Sequence, residues 1–486
     1  MDPPPSTAGL VNPRRFRLRN NIAEISHDRV DPISLLPNRG DRALSFFIPK
    51  TTSRCVDFSN IQLHLRLRLV NGPDGGPLKA GPKSYIIPGF VPATIFGSLA
   101  VRINDTEVTN ATQYPLLAKF LMLTQVDEDR RRALLGVNEF AGWDEENVNE
   151  RPAPPPSEDP PSGDEKEEAN KENKPPADAD GGSEASGDEG AAAPRTKRAA
   201  RNVYSLLGRF HEYKLRSRRF QRDGGRGSCT FSSYLLTELA AGADKPLVLP
   251  PCDISLEFLP AEPARSIITD ANNPTARVEI MEAHLTVPRV LPRGGTIPRS
   301  LRWNFLRTRI CPIIVPKNRT EFHAVLNHSG QIGRRISLFL LERDNWEGNY
   351  RSSIYRSHPY NLESVELHVG SRVLPTSRIR ANFERRETNE MYLYVLDSLK
   401  WSLRKTGAIP DMLEKLDWEQ GAFIWSADTT VDRSADAGYK GMAESGAVNL
   451  TLNFRKKTPS QLVVVAVTEA TGELAIHSDG AVKVSD

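Results

Sequence analysis

Nine histidines and four cysteines are the residues of this 486-residue chain best suited to metal or nucleophilic chemistry. Jelly-roll metal enzymes of the cupin type need histidines clustered on adjacent strands, yet the sequence has no H-x-H pair and no H-E-x-x-H. His64 and His368 fall at polar-face positions of separate strands and read as solvated strand histidines. Cys55, Cys229, Cys252 and Cys311 lie far apart with no C-x-x-C pair, which argues against a disulfide framework or a zinc site. No G-x-S-x-G elbow and no G-x-x-x-x-G-K-[ST] phosphate loop occurs. The reading is a non-enzyme, with no catalytic, cofactor-binding or metal residue to assign.

Charge offers more. From Asp144 to Gly190 there are 16 acidic against four basic residues, a net of −12 within a chain of net +3, so the remainder carries +15. Arg14, Arg15, Arg17 and Arg19, set around Phe16 and Leu18, form a basic arm that could neutralise phosphates of a nucleic acid without reading its sequence. Arg195, Lys197, Arg198 and Arg201 make a short basic cluster of the nuclear-import kind. Arg39-Gly40-Asp41 matches the adhesion tripeptide, and Asn104, Asn110, Asn318, Asn327 and Asn449 head N-x-S/T tripeptides. Both motifs are short enough to be chance matches. The beginning of the chain lacks the apolar core of a signal peptide and no run of about 18 apolar residues occurs, so the expectation is a reducing compartment without membrane insertion.

These charges must be carried by strands. In Ile61 to Leu69 (IQLHLRLRL) apolar and polar residues alternate with period two, the mark of a sheet with one wet face. ISLEF from Ile254, VELHV from Val365 and VNLTLNF from Val448 repeat the pattern. LVVVAV from Leu462 is continuous and β-branched, which predicts a strand covered on both faces. Between Arg277 and Val287 the alternation changes phase, which predicts a β-bulge. Helical sequence is sparse: Gln113 to Thr124 carries Tyr114, Leu117 and Leu121 on one stripe, and Pro410 opens PDMLEKL at a position where a helix N-terminus tolerates proline. Many strands, few helices and 37 prolines with 33 glycines point to antiparallel sandwiches or barrels.

The strand signals form two groups, about Ala43 to Val287 and about Arg307 to Ala475. The chain therefore reads as a basic arm over 1–39, a first domain over 40–290, a connector over 291–306, a second domain over 307–475 and a tail over 476–486. The stretch at about 147–200 has almost no large apolar residue and reads as a disordered acidic insertion within the first domain. No residue-level repeat relates the two halves.

Taken in order, five segments resemble the double jelly-roll major capsid proteins of Polinton/Maverick elements and adintoviruses. They are ALSFFIPKTTSRCVDFSNIQLHLRLRLV from Ala43, PATIFGSLAVRINDTEVTNATQYPLLAKFLMLT from Pro92 and VEIMEAHLTV from Val278. In the second half they are LFLLERDNWEGNYRSSIYRSHPYNLESVELHVGSRVLP from Leu338 and GAVNLTLNFRKKTPSQLVVVAVTEATGEL from Gly446. The resemblance spans about residues 40 to 480 without the insertion, and its weight lies in the order and spacing of the pieces.

The resemblance implies an all-β fold of two tandem jelly-roll β-sandwich domains with a few short helices in the loops. It also implies a homotrimer that forms a pseudo-hexameric capsomer and tiles an icosahedral shell around double-stranded DNA, with penton and minor capsid proteins as partners. The location implied is the virion, with the host nucleus or cytoplasm during assembly. Two rival readings stand beside it: a bilobed jelly-roll enzyme, glycan-processing or copper-dependent, and a domesticated host interaction protein.

Overall fold

A computed structural model describes residues 22–34, 42–124, 220–399 and 415–485, apart from 73–74, 79–83, 87–90, 222–224, 242–245, 270, 272–273, 294–296, 329, 352–353, 355, 432, 434 and 436–443. All described residues belong to one compact unit.

The first sandwich is built from β1 (Ile22–Val30), β2 (Leu44–Ile48), β3 (Cys55–Asp57), β4 (Gln62–Asn71), β5 (Ser84–Ile86), β6 (Phe96–Ile103) and β7 (Thr106–Ala111). It continues with β8 (Ser228–Tyr234), β9 (Val248–Leu249), β10 (Ile254–Pro260), β11 (Ile267–Thr269) and β12 (Ala276–Pro292). The second sandwich takes β13 (Leu301–Val315), β14 (Glu321–Asn327), β15 (Arg335–Glu342), β16 (Leu362–Val369), β17 (Arg372–Leu374), β18 (Trp425–Asp428), β19 (Val448–Phe454), β20 (Leu462–Ile476) and β21 (Val482–Ser485).

Pairing brings out a duplication that no residue repeat announces. In the first sandwich one sheet runs β1-β12-β4-β8 and the other β2-β10-β6-β7, with short β3 and β9 added beside β12. In the second the sheets run β13-β20-β15-β18 and β14-β19-β16-β17. Ranked along the chain, the eight principal strands of each sandwich follow one rule: first, eighth, third and sixth in one sheet; second, seventh, fourth and fifth in the other. Every pair in these four sheets is antiparallel, and this interleaved order is that of a jelly roll.

The alternation of β4 works as its pattern requires. Leu63, Leu65, Leu67 and Leu69 are buried, each contributing about 1.5–3 kcal/mol by leaving water, while Gln62, His64, Arg66 and Arg68 face outward. The phase change in β12 is a bulge at Met281, where the register steps from Ile280 opposite Leu67 to Glu282 opposite Arg66. Leu462 to Val467 of β20 is buried throughout, because β13 and β15 flank it in the sheet and both faces are covered. The helix α1 (Val91–Thr94) precedes β6, and α2 (Tyr114–Thr124) follows β7. Expected to bury one stripe, α2 is buried more widely, with Leu116, Ala118, Lys119 and Phe120 inside as well as Tyr114, Leu117 and Leu121.

Three expected boundaries need correction. Residues 22–30, assigned to the arm, are the first strand of a sheet, pairing with β12 from Ile22 opposite Pro292 to Val30 opposite Leu285. Their charged, mostly exposed edge position hides the period-two pattern. The connector is shorter than 291–306, because β12 runs to Pro292 and β13 starts at Leu301, paired to β20 over its whole length. The tail contains β21, which pairs with Glu473–Ile476 of β20. The acidic insertion and residues 410–414 of the expected PDMLEKL helix lie outside the described residues, although Lys415–Gln420 is helical.

Candidate functional site

Among the described residues no group of three His, Cys, Asp or Glu side chains is placed to hold a metal ion. Also among them, no helix is long and apolar enough to cross a membrane. Cys55, Cys229 and Cys252 are buried and Cys311 is exposed, and none of the four is in a disulfide. Burial pushes the Cys55 thiol up to about 11 and that of Cys252 up to about 12, which removes the thiolate a nucleophile needs. Among the described residues, polar side chains hold the two sandwiches together and lace the sheet faces.

Two such constellations stand out. The first is the outer face of β1-β12-β4-β8. There His64 and His284, directly opposite in register, stack with ring centroids 4.6 Å apart and planes 15° off parallel. His64 Nδ1 lies 2.7 Å from Ser232 Oγ on β8 and its Nε2 lies 3.0 Å from Thr286 Oγ1 on β12. The next rungs are ion pairs, Arg66 with Glu282 at 3.0 Å and Arg68 with Glu279, the latter holding the Arg68 guanidinium above its ordinary range. Opposite charges directly across a pair stabilise a register by a few tenths of a kcal/mol to about 1 kcal/mol each.

The second is the seam between the sandwiches. Lys119, fully buried on α2, donates from Nζ to Ser357 Oγ at 2.9 Å and sits 4.5 Å from the centre of the Phe339 ring on β15. Desolvation pushes its ammonium down to about 7. Beside it, burial and then the charges of Arg356 and Lys119 push the His358 imidazole down to about 4. Glu238, in the helical turn α3 (Glu238–Ala241), accepts from the Thr308 backbone N–H at 2.8 Å and from its hydroxyl, and the Trp303 indole donates to the Leu239 carbonyl at 3.0 Å. These contacts cover the free edge of β13 with the first sandwich. Burial pushes the Glu238 carboxyl up to about 8, against the Thr308 N–H and Arg307, which pull it down. At a third point Arg265 donates from Nε to the Trp346 carbonyl at 3.1 Å and lies over the Trp346 ring at 5.3 Å.

The residues singled out by sequence are placed as follows. Arg14, Arg15, Arg17, Arg19, Arg195, Lys197, Arg198, Arg201 and the Arg39-Gly40-Asp41 tripeptide lie outside the described residues. His64 is on the outer face as expected, but it is not solitary. His284 was missed because only the register across β4 and β12 brings together two residues so far apart in the chain. His368 stands on β16 opposite Asn449 and Val373. Of the five N-x-S/T asparagines, Asn104 has both ends of its amide engaged, accepting from Asp253 N at 2.9 Å and donating to the Gly480 carbonyl at 2.8 Å. Lys119 and Glu238 carried no sequence signal beyond being charged residues in otherwise apolar company.

Large apolar side chains remain on the outer surfaces: Phe47 and Leu259 on the outward side of β2-β10-β6-β7, and Ile314 and Val325 on the second sandwich.

No family model and no curated protein matches this chain. Solved structures do. The crystal structure of the mavirus major capsid protein is similar over 95% of this chain and 90% of its own, at 12% identity and a TM-score of 0.53. The cryo-EM structure of the Sputnik virophage is similar over 98% of this chain and 90% of its own, at 11% identity and a TM-score of 0.55. The Faustovirus major capsid protein follows at 7% identity and a TM-score of 0.50, covering 94% and 92%. Identities this low speak to the fold alone, and the fold is the double jelly roll.

Proposed function

We propose that this chain is a major capsid protein: a shell subunit that associates with copies of itself, as the Polinton/Maverick and adintovirus proteins it resembles in sequence do. The observation that carries the reading is the tandem of two jelly rolls with one strand order, joined by a buried seam, matched along nearly its whole length by the major capsid proteins of mavirus and Faustovirus and by a chain of the Sputnik virophage. Each sandwich is taken as one domain, about 22–292 and 301–485, with the acidic insertion belonging to the first.

Geometry supplies the assembly logic. Two like sandwiches per chain and three chains per ring present six similar walls, so lateral contacts close with nearly equivalent geometry. A homotrimeric pseudo-hexameric capsomer in an icosahedral shell around double-stranded DNA is the arrangement this favours, with Phe47, Leu259, Ile314 and Val325 as apolar side chains available to intersubunit contacts. Penton and minor capsid proteins are the further partners, and the virion is the destination. Arg14, Arg15, Arg17 and Arg19 are assigned to packaged DNA through phosphate contacts, and Arg195, Lys197, Arg198 and Arg201 to nuclear import.

The test is expression of the full chain alone, followed by mass measurement and electron microscopy. A species of three times 54.0 kDa, or closed particles, is the expected result. A monomer at every concentration would overturn the assignment.

A further inference from the structure

We propose that the stacked pair His64 and His284 is an acid-sensitive latch across β4 and β12, holding the outer face of the first sandwich closed at neutral pH and releasing it on mild acidification. The reading is independent of what the shell encloses or whether one forms, because it concerns this face of the sandwich alone.

The geometry disfavours charge on both rings at once. With centroids 4.6 Å apart and planes 15° off parallel, the two imidazoles are stacked, an arrangement suited to neutral rings. Protonating both would set two cations against each other in a setting less polar than water. The groups around the stack relieve this only in part. From β1 comes Arg29 and from just beyond its end Asp31, which is held by Arg29 at 3.0 Å. From β12 come Glu282, which is tied to Arg66 of β4 at 3.0 Å, and the hydroxyl of Thr286. From β8 comes the hydroxyl of Ser232, with Tyr234 and Thr230 on the same face to either side of it, and β4 itself adds Arg66 and Gln62. The two carboxylates within reach are thus each committed to an arginine.

The proton affinities agree. His64 is lowered by burial, then by His284 and Arg29; His284 is lowered by burial and Arg29, with Asp31 and Glu282 opposing. Two imidazoles lowered in the folded state bind fewer protons there than in the opened state. The closed face is therefore at full stability above about pH 6.5 and loses stability as pH falls from there through the folded values. Each unit of depression costs about a factor of ten in the closed population in acid.

His64 also anchors three strands at once, β4 through its own backbone, β8 through Ser232 and β12 through Thr286. Tilting its ring away from His284 surrenders both hydroxyl contacts, so charge at one point is transmitted to three adjacent strands. β1 joins the response because it pairs with β12 up to Leu285, next to His284.

Hydrogen exchange of the full-length protein between pH 7.5 and 5, corrected for intrinsic rates, tests the latch. Exchange in β4, β8 and β12 is expected to speed up about tenfold or more in acid, relative to β19 and β20, and to recover when pH is restored. His284→Gln should weaken this pH dependence by removing one titrating ring and its charge beside the other, whereas His323→Gln, on the second sandwich, should leave it intact. In a parallel NMR titration both ring signals should shift together below pH 6.5. Unchanged relative exchange, or two rings titrating independently near 6.5, would overturn the proposal. Should His284→Gln fail to fold, the wild-type titration alone decides.

Discussion

The side-chain amide of Asn104 donates to the main-chain carbonyl of Gly480, 2.8 Å away, and so ties the β6–β7 turn of the first sandwich to the turn before β21 in the second. The same amide accepts from Asp253 N at 2.9 Å, and the Asn104 backbone N–H donates to the Asp253 carbonyl. Its φ of 46° is one that asparagine tolerates better than most residues, which suits it to the tip of a tight turn.

Replacing Asn104 by glycine keeps that backbone conformation and removes only the two side-chain bonds. Asn104→Gly is expected to cost about 1–3 kcal/mol in urea denaturation, seen as a lower midpoint of the first transition with its slope unchanged. No shift in midpoint would mean that the clasp is incidental to docking.

Lys119 gives a prediction of opposite sign. Its buried ammonium, pushed down to about 7, depresses stability as pH falls from about 10 toward 7, and the full cost is present below that. Lys119→Met keeps the length and removes the charge, so at pH 6 the variant is expected to be the more stable by about 1–4 kcal/mol, the gap narrowing toward pH 9. Thermal melts across that range check it, and a destabilised Lys119→Met at pH 6 would contradict it.

Glu238 responds the other way. With its carboxyl pushed up to about 8, the folded protein is at full stability below about pH 4.3 as far as this group is concerned, and loses that contribution as pH rises through 8. Glu238→Gln retains an oxygen for the Thr308 N–H and should flatten the stability profile over that interval. A variant whose melting temperature follows the wild-type slope would exclude Glu238 as its source.

Gly225 stands where β8 is approached, with φ of 86° and its carbonyl accepting from Leu78 N at 3.1 Å. A Cβ there would lie 2.5 Å from the Leu78 carbonyl oxygen and 2.8 Å from Leu78 N, both backbone atoms with little room to give. Gly225→Ala is expected to lose about 1–3 kcal/mol or more from strain and clash together, measured by the same denaturation.

Much of this fold is legible in the order of its residues. The alternation of Leu63, Leu65, Leu67 and Leu69 announces a half-wet strand, the change of phase around Met281 announces a bulge, and the β-branched run from Leu462 announces a strand with both faces covered. Each is a property of neighbours along the chain, because side-chain direction in a strand repeats every two residues. A strand with little apolar content escapes this reading. IAEISHDRV at 22–30 looks like part of a charged arm, and only its pairing with β12 makes it the first strand of a sheet.

Partnership is where local pattern stops. Nothing near His64 in sequence names His284, nothing near Lys119 names Ser357, and nothing near Asn104 names Gly480. A one-residue change in register would turn His284 away from His64, so that contact exists only once β4 and β12 are paired with the bulge in place. The residue order of this chain determined which segments are strands and which of their faces are apolar, because those follow from backbone geometry repeated every two residues. Tertiary structure alone decided which strands lie side by side, that both halves share one strand order, and which polar groups meet at the seam, because those depend on closing long loops between distant segments.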